Sequence, residues 1–301
     1  MPELPEVETV SRGLRERVLG RQISEVEVLH PGILVGSPAG FVGGIRGRRV
    51  ASIERKGKVL ALALEAQDGA PVNFLMVRLG MTGQLTVRRR EQPLEPHTHV
   101  RLALDTGEEE VRFRDARRFG RLRSCTLEEL EAVLGRLGPD AQQVTEAEFF
   151  QAARARRGAV KGWLLNQRGF SGLGNIYADE SLFAARIHPL AQPGRLSRRT
   201  LRRLYQSLKK VLRRAVDLQG TSFRDYIDIE GREGNYRQRL EAYGRAGEPC
   251  RRCHSAIQRI VVAGRSSHFC PHCQRRPRDA ALPTGSHRAS KGARHTQFGL
   301  S

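Results

Sequence analysis

The sequence predicts an α+β fold, with an N-terminal β-sandwich led in by one helix, a helical second domain and a C-terminal zinc-finger β-hairpin. Three observations predict it. Residues 22 to 123 read as strand after strand, the segment after 148 carries apolar side chains at helical spacing, and four of the five cysteines fall into two Cys-x-x-Cys pairs near the end.

Each element has its own signal. The opening segment places Pro5 at the first helical position, Glu6 and Glu8 on the positive end of the helix dipole, and Val7, Val10, Leu14 and Val18 on one stripe, with Gly20 as the stop. Val26 and Val28 alternate, as do Leu60, Leu62 and Leu64. Val100, Leu102 and Leu104 lead through an Asp105-Thr106-Gly107 turn to Val111 and Phe113, and strands so spaced suit a sandwich. Thr126 opens an acidic, leucine-bearing segment that Gly138-Pro139-Asp140 breaks. The expected division is therefore a sandwich domain over 2–135, a linker over 136–148, a helical domain over 149–240, a finger over 241–276 and a disordered, slightly basic tail over 277–301. In the helical domain, Ser197 caps a segment with Leu201, Leu204, Leu208, Val211, Leu212 and Ala215 at helical spacing. From Arg186 to Val216 there are ten Lys or Arg and no acid, which reads either as a solvated face or as a phosphate-facing surface.

The whole chain repeats that bias, with 52 Lys and Arg against 32 Asp and Glu and a net charge of +20. An acidic polymer, nucleic acid first, is the natural partner. There is no apolar run of about 18 residues, no secretory leader and no lipidation motif, so no membrane role and a cytoplasmic location are expected. In that compartment Cys250, Cys253, Cys270 and Cys273 read as a closed four-thiolate shell for one structural Zn2+ ion, and Cys125 as a small buried hydrophobe. Between the pairs, Ile257, Ile260, Val261 and Val262 read as a hairpin with Arg265 near its tip, suited to a nucleic-acid groove or equally to a solvated turn. Arg88-Arg89-Arg90 stays open in the same way.

The amino terminus admits two readings. Removal of Met1 would free the secondary amine of Pro2, a nucleophile that can displace a base from a sugar carbon and collapse to an iminium, with Glu3 as a neighbouring acid or base. The same residues also make an ordinary helix lead-in.

Pro2-Glu3-Leu4-Pro5-Glu6-Val7-Glu8-Thr9, Lys58 in Arg55-Lys56-Gly57-Lys58, Leu79-Gly80-Met81-Thr82-Gly83, Asp115-Ala116-Arg117-Arg118-Phe119-Gly120, Gly172-Leu173-Gly174-Asn175-Ile176-Tyr177 and the four-cysteine finger occur in order from residue 2 to about 276. Together they resemble the bacterial formamidopyrimidine-DNA glycosylase family. The opening differs from the Pro-Glu-Gly-Pro expected of the related endonuclease VIII branch, which favours oxidised purines as substrate. The resemblance implies a helix-two-turn-helix domain and a monomeric, bifunctional glycosylase and lyase acting on 8-oxoguanine, formamidopyrimidines and abasic sites in duplex DNA.

It also implies roles. Pro2 is the nucleophile, Glu3 protonates the opening sugar, Glu6 helps position the amine, and Glu180 is a carboxylate near the site or a partner of the terminal amine. Met81, Arg117 and Phe119 fill the gap left by a flipped base, an arrangement their types suit. Lys58, Asn175 and Arg265 grip phosphates, while His99 and Tyr243 contact DNA. The flipped base meets the 220–236 segment, with Gly231 and Gly234 suggesting a mobile lid. Without the resemblance, Phe119 reads as core packing after a strand. Two departures stand out: Arg78 where the family commonly has His, removing a titration near neutral pH, and Ala116 for a frequent proline, implying a looser loop. A non-catalytic DNA-binding module is the rival reading, and the exposed amino terminus separates the two.

Overall fold

The computed structural model describes residues 2–66, 72–105, 107–154 and 156–277. Met1 and the tail from 278 lie outside the described residues, so the expectation of disorder there does too.

The opening helix α1 (Leu4–Arg17) carries Pro5 in its first turn, where a missing N–H leaves nothing unpaired, and buries Val7, Val10 and Leu14. The chain continues through β1 (Ile23–Val28), α2 (Pro38–Gly43), β2 (Arg49–Lys56), β3 (Val59–Glu65), β4 (Asn73–Arg78), β5 (Gln84–Arg89), β6 (Thr98–Leu104), β7 (Glu109–Arg114) and β8 (Arg121–Cys125). The strands form two antiparallel four-stranded sheets, ordered β1-β6-β7-β5 and β2-β3-β4-β8. Inward residues such as Ile53, Leu62, Leu75, Leu102 and Phe113 fill one core, into which α1 inserts Val7, Val10 and Leu14. The α3 helix (Leu127–Leu134) starts in a capping box between Thr126 and Glu129. Its Leu130 covers Val59, Ala61, Met76 and Cys125, so β3 is apolar on both faces and Cys125 is the buried hydrophobe expected.

The helical part comprises α4 (Glu146–Arg154), α5 (Val160–Leu165), α6 (Asn175–Ala184) and α7 (Arg198–Asp217). The Ser197 hydroxyl accepts from the Thr200 amide to cap α7, as its position predicts. Phe149, Trp163 and Phe170 pack with ring centroids 5.1 Å apart in a second core. Leu4 belongs to that core, whereas the rest of the α1 stripe belongs to the first. The start of α1 therefore sits at the junction of the two cores. The finger hairpin pairs β9 (Gln258–Val262) with β10 (Arg265–Phe269), and Ala263 and Gly264 turn at φ +50° and +72°. Two positive φ values in a two-residue loop match the right-handed twist of a hairpin. Among the described residues, no helix is long and apolar enough to cross a membrane.

Candidate active site

Pro2 and Glu3 are buried at the head of α1. The Glu3 carboxylate accepts hydrogen bonds from the amides of Gly174 (2.8 Å), Ile176 (2.9 Å) and Tyr177 (3.4 Å), the donors that the start of α6 leaves free. Two glycines make this docking possible. Gly172, at φ +104°, accepts from the Leu4 amide at 3.0 Å, and a Cβ there would lie 2.6 Å from Leu4 Cδ1. At Gly174 a Cβ would lie 2.3 Å from the Glu3 carboxyl carbon and 2.7 Å from Lys58 Nζ, so the carboxylate and the ammonium share one bare patch of backbone.

Glu6 closes the other side of this nest. Its carboxylate accepts from the Glu3 amide (2.8 Å), the Thr221 amide (2.7 Å) and the Tyr177 hydroxyl. Burial, and then the nearby Glu3 charge, raise the Glu6 carboxyl above the ordinary range. Burial lowers the Lys58 ammonium, Arg265 lowers it further, and Glu3 and Glu6 oppose both. The cluster thus joins two carboxyl groups, an amine easier than usual to deprotonate and a guanidinium around the first residues of the chain, a set able to donate protons and hold an anion.

Arg265 comes from the finger, and α6 holds the finger in place. The Asp179 carboxylate accepts from the His268 amide (2.8 Å), the Ser267 hydroxyl (3.1 Å) and the fully buried Lys161 ammonium (2.7 Å), which also donates to the Ser266 carbonyl at 2.5 Å. The Sγ atoms of Cys250, Cys253, Cys270 and Cys273 all lie within 4.8 Å of one another. A Zn–S bond of ~2.3 Å puts tetrahedral thiolates about 3.8 Å apart, so four such groups suit one closed, structural zinc ion.

The profile described as the formamidopyrimidine-DNA glycosylase N-terminal domain matches residues 1–122, that of the H2TH domain of the same enzyme matches 136–226, and that of a zinc finger found in FPG and IleRS matches 247–276. The chain belongs to the formamidopyrimidine-DNA glycosylase family. A member from Heliobacterium modesticaldum is 44% identical over 286 residues, covering 91% of this chain and all of that protein. One from Herpetosiphon aurantiacus is 41% identical over 278 residues with the same coverage. An FPG variant from Lactococcus lactis, solved with DNA containing Fapy-dG, superposes with a TM-score of 0.84 at 32% identity, covering 91% of this chain and 100% of its own. The MutM (FPG) protein of Thermus thermophilus superposes at 0.79 with 38% identity, covering 91% and 98%.

The other residues implied by the family pattern lie on several elements. Arg78 is exposed at the end of β4, and Met81 follows it in a half-exposed turn. Arg117 and Phe119 are exposed on the next loop, with the Arg117 guanidinium 4.8 Å from the Phe119 ring centre. Reading Phe119 as core packing is therefore wrong: the ring is 53% exposed. The cause is Asp115, whose carboxylate accepts from the amides of Arg117 (3.2 Å) and Gly120 (2.7 Å) and from the Thr82 hydroxyl, folding the loop outward with Arg118 at φ +57°. The Thr82 hydroxyl, which also accepts from the Arg117 amide at 3.1 Å, ties this loop to the Met81 turn. His99 also needs correction as a direct contact. It is buried, its Nε2 lies 2.8 Å from the Asp115 carbonyl, and its ring meets His30 edge-on.

Asn175 heads α6, half-buried, with its side-chain oxygen unpaired among the described residues. Glu180 partners neither a terminal amine nor the nest. Its carboxylate accepts from the amides of Glu241, Ala242 and Tyr243 at 2.8 to 2.9 Å, fastening the start of the finger, and burial raises it to about 7. The segment expected as a lid is anchored at several points. Thr221 bridges Asn235, the Val87 amide donates to the Ile229 carbonyl at 2.9 Å, and Tyr226 and Ile229 enter the sandwich core. Gly234 is a close-packing glycine, since a Cβ would meet the Gly220 oxygen at 2.4 Å, and only residues 223–225 of the front half stand exposed. Arg88 pairs with Glu95 and Arg90 with Glu25, so the arginine triplet is a paired hairpin end. Sequence reasoning missed Asp179, one turn after Asn175, and Lys161. A lone lysine within Ala159-Val160-Lys161-Gly162-Trp163-Leu164 is the signal that was there to be read.

Proposed function

We propose that this chain is a bifunctional DNA glycosylase and abasic-site lyase of base-excision repair, removing oxidised purines such as 8-oxoguanine and formamidopyrimidines from duplex DNA. The observation that carries this reading is the seating of Glu3 in the amide cradle of α6 beside Lys58, directly behind Pro2. A helix lead-in needs no such cradle. Once Met1 is removed, the Pro2 nitrogen lone pair forms a bond to C1′ as the bond from C1′ to the base breaks. Glu3 takes up the proton that the Pro2 nitrogen loses and passes it to the sugar oxygen as the ring C1′–O bond breaks, and the nitrogen, now iminium, acidifies C2′–H. Loss of that proton drives the electron pair toward the 3′ phosphate, which leaves; a second elimination releases the 5′ phosphate. Glu6 holds the Glu3 amide and so the angle of the amine. Lys58, Arg265, Asn175 and Tyr243 face the flanking phosphates, Arg78 lies along the same strand path, and Met81, Arg117 and Phe119 fill the vacated stack. His99 and Glu180 act indirectly, through the Asp115 loop and the finger base. The sandwich domain (2–135), linker (136–148), helix-two-turn-helix domain (149–240) and finger (241–276) divide this work, with zinc supplying only the finger's rigidity. The protein works in the cytoplasm as a monomer.

Borohydride trapping on duplexes with 8-oxoguanine tests the covalent step. Pro2→Gly is expected to slow adduct formation by at least about a hundredfold, the loss typical of a misplaced reacting group. Trapping at the wild-type rate, or an adduct mapped to Lys58, overturns the assignment.

A further inference from the structure

We infer that the outer face of α7 is a second duplex-DNA surface, separate from the candidate active site. Arg199, Arg203, Lys210, Arg213 and Arg214 fall within about 100° of arc on a helix of ~3.6 residues per turn, forming a stripe about 22 Å long at ~1.5 Å per residue. All five are exposed. The buried residues Leu201, Leu204, Leu208, Val211, Leu212 and Ala215 occupy the opposite arc and pack on α6 and α1, the two helices that build the nest. The stripe therefore looks away from the catalytic cluster. Its upper part is further removed: the Arg203 guanidinium donates to the Ala185 carbonyl at 2.7 Å, at the far end of α6 from the amides that hold Glu3.

Among the described residues, ion pairs do not neutralise this charge. Cations on the flanks are engaged, Arg202 with Glu146, Lys209 with the Gln142 and Val144 carbonyls and Arg198 over the Phe150 ring. Among the described residues, Arg199, Lys210, Arg213 and Arg214 have no ion pair, and Asp217 is the one acid on the helix. Phosphates repeat every ~3.4 Å per strand along a duplex, so a rigid stripe of this length spans about six base pairs. An anionic bilayer fits poorly, because the exposed arc offers Gln206 and Ser207 between its cations and no apolar side chain to insert. Two duplexes held on opposite sides of α7 would let the protein pass from one DNA segment to another without leaving both.

The test uses full-length protein saturated with a short duplex bearing an uncleavable abasic analogue. A fluorescent undamaged duplex is then added and followed by anisotropy over a salt series. The second duplex should bind, and the triple variant R199Q/K210Q/R213Q should weaken it about tenfold or more and reduce the log-log salt slope by about three, close to 0.9 per lost contact. Binding of the abasic duplex and the melting temperature should not move. No second binding by wild type, equal binding by the triple variant, or equal competition by polyglutamate or phosphatidylserine vesicles each overturns the inference. Failure of the abasic duplex to bind counts against the proposed repair function instead, and the stripe is then read from the labelled duplex alone.

Discussion

A single methyl group decides whether the candidate active site exists. Gly174 has an ordinary negative φ, so alanine there is not strained by the backbone, yet its Cβ would stand 2.3 Å from the Glu3 carboxyl carbon and 2.7 Å from Lys58 Nζ. Displacing both by about an ångström should lower single-turnover excision at least ~100-fold, as misplacement of reacting groups does. A Gly174→Ala protein that excises 8-oxoguanine normally while melting normally would show that the cradle is incidental. Glu180 is the residue whose titration bears on stability. Its carboxyl is raised from 4.5 to about 7, burial outweighing the three amides that favour the charged form. A raised acid favours folding while protonated: the contribution is complete below about 4.5 and disappears as pH climbs through about 7. The swing is about 3 kcal/mol, since each tenfold change in proton affinity is worth ~1.4 kcal/mol. Thermal melts across this window should show wild type losing stability relative to Glu180→Gln, which cannot ionise. Parallel curves for the two proteins would refute the account.

Among the elements, α6 joins more parts of the site than any residue suggests. Its first amides hold Glu3, Asp179 on its middle turn holds β10 beside Arg265, and Glu180 next to it holds residues 241 to 243. Asp179→Ala leaves the Lys161 ammonium buried without its carboxylate, a loss that typically costs about 3–5 kcal/mol. Chemical denaturation should register that loss, and Asp179→Asn, which keeps a carbonyl acceptor for the His268 amide, should lose less. Elements of this kind were only half legible in the sequence. The α7 stripe, the capped start of α3 and the cysteine hairpin rest on periodicity and spacing, which are local and therefore readable. Apolar pattern alone would have buried Phe119 and the family pattern placed it on DNA with His99; a carboxylate at Asp115 turns the phenyl ring outward and leaves the imidazole inside, a choice no pattern of apolar residues encodes. In the 220–236 segment the glycines were legible and the anchors were not: Tyr226 and Ile229 join a core built more than a hundred residues earlier. Glu180 read as a carboxylate near the site or a partner of the terminal amine because its partners, three backbone amides, have no sequence signature at all.

At the scale of the whole molecule, three unequal bodies converge on the amino terminus, and the smallest is the least able to stand alone. The sandwich and helical cores are each built from more than twenty buried side chains, whereas the finger's cluster consists of Phe183 from α6, Ala242, Cys250, Ile257 and Cys270. So small an apolar cluster cannot offset the entropy of ordering the finger, and the metal must supply the difference. Removing it should release β9, β10 and Arg265 while Leu4 stays fixed in the helical core and Val7, Val10 and Leu14 in the sandwich core. Glu3 would then remain in its cradle, but Lys58 would lose the guanidinium that faces it and Tyr243 the order imposed through its neighbours. The expected outcome of exhaustive chelation is a protein that still melts cooperatively, keeps most of its far-ultraviolet circular dichroism, binds lesion duplex weakly and forms little borohydride-trapped adduct. One equivalent of Zn2+ should restore both binding and trapping. Full affinity in the chelated protein would place the grip on DNA elsewhere, and loss of the cooperative melt would mean that the finger supports the two larger cores rather than resting on them.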